Sequence, residues 1–166
     1  MFVAAIGESE KFKYEYWRYD KHFVLKPPLA LKISLVVLCK DLILSLLLGA
    51  TKFKLKGGDF ADDAVSLVDP AFFTSNLPAA ALLFAVILRG PNSGPIVRHI
   101  WRNGKIFLHL SLWIYFLTFF LKNGANVFEY TLLHWGYLTA YTLILVYALR
   151  SNLLTDAFAE FPAKTT

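Results

Sequence analysis

The chain has 166 residues, enough for one domain; 57% of them are hydrophobic, 16% aromatic, and the mean hydropathy is +0.50. Soluble domains are about 45–50% apolar with glycine included, so this chain carries more apolar surface than a small soluble core can hide, and an ordinary globular protein is excluded. The net charge of +5 is read as an orientation signal of a membrane chain rather than as a nucleic-acid footprint, and the single Cys39 excludes an intrachain disulfide or a cysteine-based metal site.

Residues 1–28 open with MFVAAIGESEK, whose apolar run is too short and too acidic at its end for a cleaved signal peptide. Then comes KFKYEYWRYDKHFVLKPP, basic and aromatic together. Tyr14, Tyr16, Trp17 and Tyr19 suit the membrane–water interface, and Lys11, Lys13, Arg18, Lys21 and Lys26 suit anionic lipid headgroups. Pro27-Pro28 is placed to open a helix, because a first-turn N–H has no intrahelical partner to lose.

The first apolar segment is Leu29–Ala50, LALKISLVVLCKDLILSLLLGA. Its 22 residues rise about 33 Å as a helix, enough for a hydrocarbon layer of about 30 Å. Lys40 and Asp41 at its centre cost about 2.5–3.5 kcal/mol each. The 13 Leu, Ile and Val residues return about 4–8 kcal/mol, so the segment inserts only if the two charges are kept from lipid. Lys32, one turn in, can snorkel to the headgroups. Adjacent residues project about 100° apart on a helix, so Lys40 and Asp41 are not expected to face each other. Asp41 shares a face with Ser34 and Ser45, which makes a polar stripe for the bundle interior.

The following loop holds Asp59, Asp62, Asp63 and Asp69 beside the helix breaker Gly57-Gly58. It lacks the spacing and closing Glu of a calcium loop and reads as solvated. Segment two, about 72–88, contains Pro78 and an Ala81–Ala85 step for close helix approach. The second loop, RGPNSGPIVRHIWRNGK, is basic and has no phosphate-cradling motif; His99 reads as a surface residue. Segment three, about 105–121, places His109 and Trp113 on one face. Segment four, about 128–149, aligns Tyr130, His134, Tyr137 and Tyr141 in one polar-aromatic stripe. The tail, residues 150–166, holds a short amphipathic piece closed by Pro162.

These readings predict an all-α bundle of four transmembrane helices over 29–149, an interfacial N-terminal segment and a tail. Eleven Lys and Arg fall on the side of the termini and second loop and four on the other, which predicts cytoplasmic termini. Asp41 and Tyr137–Tyr141 lie near the middle of their segments, so Lys40 or Asp41 is expected to hydrogen-bond to that stripe. The candidate intramembrane polar cluster is therefore Lys40, Asp41, Ser34, Ser45, Tyr137 and Tyr141. Two roles are open for it: a clasp that fixes helix register, or an ion, proton or substrate path. His109 and His134 fall at different depths, too far apart to share a metal. No nucleophile, paired-carboxylate or HExxH motif appears, and no cofactor, metal or nucleic-acid partner is expected.

YDKHFVLKPP at Tyr19–Pro28, leading into an apolar helix, and FAEFP at Phe158–Pro162 resemble the two ends of the YfeZ-like family, small four-helix bacterial inner-membrane proteins of unassigned function. The resemblance spans Tyr19 to Pro162 and rests on Tyr19, Asp20, Lys26, Pro27, Pro28, Phe158, Phe161 and Pro162; between them hydropathy matches, not identity. It implies a bacterial inner membrane and carries over no activity and no functional residue. The expected role is a non-enzymatic accessory or scaffold subunit in contact with lipid, a membrane-protein partner or its own copies. The alternative is a small oligomeric transporter or channel lined by Lys40 and Asp41.

Overall fold

The computed structural model describes residues 13–54, 70–124 and 131–163, with the backbone alone for residues 49–54. The acidic loop, Gly57-Gly58, Lys11, Tyr130 and Lys164 lie outside the described residues. Seven helices are described: α1 Leu29–Leu38, α2 Lys40–Lys54, α3 Phe73–Ile87, α4 Pro95–Arg102, α5 Gly104–Asn123, α6 Leu132–Arg150 and α7 Asn152–Ala159. Among the described residues there is no strand, only a single antiparallel bridge between Tyr19 and Leu25.

Among the described residues, three stretches are long and apolar enough to cross a membrane: Pro70–Ile87, Gly104–Asn123 and Leu132–Arg150. The fourth predicted span is different. Leu29–Ala50 is not one rod but α1 and α2, broken at Cys39. α1 alone has 10 residues and rises about 15 Å, too short to span by itself. The break falls at neither proline nor glycine. At the break the Val37 carbonyl accepts from the Cys39 N–H in a tightened turn and, at 3.4 Å, from the Tyr141 hydroxyl. The ladder is carried past the break by Cys39 N–H to the Leu35 carbonyl and Ile43 N–H to the Cys39 carbonyl, both at 2.9 Å.

α3 is the central helix and packs on α1, α2, α4 and α5. Small side chains make this fit. Ser75, Ala79 and Ala85 are buried on its contact face, and the Ser111 hydroxyl of α5 donates to the Ser75 carbonyl. Of the predicted Ala81–Ala85 step, Ala85 is buried and Ala81 only half-buried, so the close face centres on Ser75–Ala79–Leu82 instead. Pro78 lies inside α3 without ending it. The core runs through Leu31, Leu35, Leu82, Leu108, Leu112 and Tyr115. Outside it, Leu29, Leu77, Ile87, Leu117, Leu121 and Leu143 are exposed. Only 17% of the apolar window of α6 is buried within the bundle, leaving its outer face for lipid.

The second loop is more ordered than its glycines and prolines imply: it contains α4, with Pro95 at its start and Val97 and Trp101 buried. The amphipathic piece of the tail is α7, capped by the Ser151 hydroxyl, which accepts from Leu154 N–H at 3.1 Å.

Candidate functional site

Two polar constellations stand out against this apolar background. The first is inside the bundle. Asp41 is fully buried, with 0% exposure, in the first turn of α2. Its Oδ1 accepts from Lys40 Nζ at 2.7 Å, and its Oδ2 lies 3.4 Å from the Asn76 amide nitrogen. The two neighbours therefore do meet, contrary to the expectation from helical projection. Lys40 begins α2 just past the break, and its four-carbon stem lets the ammonium reach back to the carboxylate next door. The ammonium also sits 4.4 Å above the Tyr137 ring.

The predicted cluster is thus rearranged. Tyr137 meets Lys40 through its ring face, and Tyr141 donates to the Val37 carbonyl. Ser45 donates to the Asp41 backbone carbonyl at 2.6 Å and not to the carboxylate; Ser34 is buried on α1. Asn76 joins the cluster from α3, a partner that sequence reasoning did not single out. Its signal was present: Ser75-Asn76 is a polar pair inside an apolar span. Tyr141 stacks on Tyr115 at 3.6 Å and 9°, and Phe72 lies 5.0 Å from Tyr115, so aromatic rings wall the cluster on one side.

Beside the cluster is a cavity of about 230 Å³, lined by Lys40, Asp41, Tyr115, Lys122, His134 and Tyr137 among others. Lys122 lies in the last turn of α5 and His134 in the first turn of α6, so the cavity runs from the helix ends towards the buried carboxylate. His134 has a local task as well. It completes a capping box: its Nδ1 accepts from Thr131 N–H at 3.1 Å, and its own N–H reaches the Thr131 hydroxyl. His109 Nδ1–H donates to the Lys105 carbonyl at 2.6 Å within its own helix. Among the described residues no group of three or more His, Cys, Asp or Glu side chains could hold a metal ion.

The second constellation gathers the two ends of the chain. Arg89, just after α3, donates to the Leu25 carbonyl through Nη1 at 2.8 Å and to the Glu160 carbonyl through Nη2 at 3.2 Å. Glu160 returns the contact, accepting from Leu25 N–H at 2.8 Å. The Trp101 indole N–H donates to the Ala157 and Glu160 carbonyls at 3.0 and 2.9 Å, and Arg89 lies 4.5 Å over the Trp101 ring. Burial pulls the Arg89 guanidinium below its ordinary pKa, and Asp20 and Glu160 pull it back up.

The eight motif residues fall on or beside this clasp. Tyr19 and Pro162 are buried. Asp20 Oδ1 accepts from the N–H groups of His22 and Val24 at 2.7 and 3.2 Å, which closes the turn where Phe23 has φ 57°. Lys26 donates to the Trp17 carbonyl, and Pro27-Pro28 leads into α1. Phe158 packs edge-on against Trp101, and Phe161 lies under Arg98 at 4.6 Å. Farther out, Asp156 accepts from Lys13 Nζ at 2.7 Å and from the Tyr14 hydroxyl at 2.5 Å. The Lys13 hydrogen bond, then that of Tyr14, holds the Asp156 carboxyl below the usual range.

The chain belongs to the DUF2919 family, proteins of unknown function, whose family model matches residues 14–160. No curated protein and no solved structure matches it.

Proposed function

We propose that this family member is a multi-pass protein of the bacterial inner membrane, as the YfeZ-like resemblance implies, and acts as a non-enzymatic accessory or scaffold subunit through helix packing and lipid contact. The observation that carries this reading is the clasp around Arg89, which ties the N-terminal segment, the second loop and the tail at one end of the bundle. An even number of crossings follows if that end is one membrane face, with α1 and α2 taken together as a bent first span. The excess of Lys and Arg on those three segments supports a cytoplasmic assignment for it. Reporter fusions at Thr166 and within the second loop should give cytoplasmic signal and no periplasmic signal; a periplasmic signal at Thr166 overturns the reading.

A second reading, a small oligomeric transporter or channel, draws support from the cavity that reaches Lys40 and Asp41. In a path of this kind the pair would act as a fixed dipole for a small charged solute. Four spans leave little room for a path in one copy, so oligomeric state separates the two readings. A stable monomer in mild detergent by native mass spectrometry counts against the path, and a closed ring favours it.

A further inference from the structure

The start of α1 forms a second cavity, unrelated to the Lys40–Asp41 pair. It has a volume of about 580 Å³ and lies between the N-terminal segment, the first turn of α1 and the end of α6. Its charged lining is all of one sign: Arg18, Lys26 and Lys32. Lys26 spends one of its three ammonium protons on the Trp17 carbonyl, and Arg18 lies 3.6 Å from Glu15, so charge remains for a ligand. The walls are apolar, with Trp17, Leu29 and Leu153 among them.

A backbone feature adds to this charge. Pro28 has no N–H and its carbonyl takes the Lys32 N–H, so the first α1 donors, Leu29 and Ala30, stand unclaimed by the helix at the cavity wall. Tyr147, near the end of α6, closes the cavity on that side.

We propose that this cavity binds one acidic phospholipid, its phosphate held by Lys26, Lys32 and Arg18 and its glycerol and upper acyl chain laid along Trp17, Leu29 and Leu153. Free phosphate shares the headgroup chemistry but has no use for the apolar wall. The position also favours lipid: beyond Lys32, α1 continues with the exposed Ile33 and Val36, so charge gives way to apolar surface in the order a lipid presents them.

The test uses the full chain in vesicles of phosphatidylcholine doped with phosphatidylglycerol, extracted gently and read by native mass spectrometry. One phosphatidylglycerol should stay with the protein. Lys32 makes no described contact that holds the fold, so Lys32→Gln should lower retention about five-fold, while Lys32→Arg should preserve it. Lys122→Gln, the same charge change at the far end of α5, should leave retention unchanged. Equal losses in Lys32→Gln and Lys122→Gln, or equal retention of phosphatidylcholine, overturn the site. Displacement of the lipid by inorganic phosphate at millimolar concentration overturns the lipid assignment in favour of a soluble phosphate ligand.

Discussion

Replacing Asp41 isolates what the buried pair contributes. Asp41→Ala removes the acceptor of two interactions, with Lys40 Nζ at 2.7 Å and with the Asn76 amide at 3.4 Å, and leaves an ammonium in the bundle without its counter-ion. Breaking one side of a buried ion pair in a soluble protein costs about 3–5 kcal/mol. That value is reduced here for two reasons. The Lys40 side chain keeps 20% exposure towards the cavity and retains the Tyr137 ring beneath it. Polar contacts between membrane helices also average only about 0.6 kcal/mol, because the unfolded chain in lipid finds partners too. The expected loss is therefore about 2 kcal/mol for Asp41→Ala and less for Asp41→Asn, whose amide oxygen still accepts from Lys40. The double variant Lys40→Met with Asp41→Leu removes both charges and should recover most of the loss. Reversible unfolding of the purified chain in mixed micelles, followed by tryptophan fluorescence, gives each free energy. A loss below about 0.5 kcal/mol for Asp41→Ala, or a double variant as costly as Lys40→Met and Asp41→Leu measured singly and summed, refutes the clasp.

Three further outcomes are expected. Gly104→Ala, which helix propensity alone would favour by about 1 kcal/mol, should instead destabilise by about 1–3 kcal/mol, since the new Cβ would collide with the buried Phe158 ring; a raised melting temperature contradicts this. Arg89→Ala removes two charge-assisted hydrogen bonds to backbone carbonyls and should cost about 3 kcal/mol, with faster hydrogen exchange at Leu25 and through α7 and little change at Leu112. Acid should loosen the outermost contact first: because the Asp156 pKa is lowered in the folded protein, its contribution is present above the ordinary carboxylate pKa and is lost as pH falls through the folded value. Amide exchange at Lys13–Glu15 should then rise below about pH 4, and Asp156→Asn should abolish that pH dependence.

How much of this was legible beforehand depended on whether a feature belongs to one segment or to two. Segments three and four, the capped tail helix and the apolar stretch around Pro78 each announce themselves locally, because a run of apolar residues must be buried or face lipid whatever its neighbours are. The basic and acidic halves of the loops are local in the same sense. The short helix α4 was hidden by the glycines and prolines before it, although Pro95 and the buried pair Val97 and Trp101 trace its start and its inner face.

The break at Cys39 was not legible, because it falls at neither proline nor glycine, and the Tyr141 hydroxyl that meets the Val37 carbonyl there comes from a helix about a hundred residues further on. Nor was the Asn76 contact to Asp41, since spacing within a helix says which residues share a face and nothing about which helix that face meets. The motif at the two ends was visible as two words with no grammar between them. Only the fold brings Leu25 and Glu160 to Arg89, a residue in a loop that had looked like an orientation signal. Leu29–Ala50, with two charges at its centre, had to hide them, and composition alone settles that the first apolar segment must do so. How they are hidden, one folded onto the other with an amide and a tyrosine ring closing the set, is decided by which helices pack together, because a buried charge is satisfied in three dimensions by groups the chain delivers from far apart.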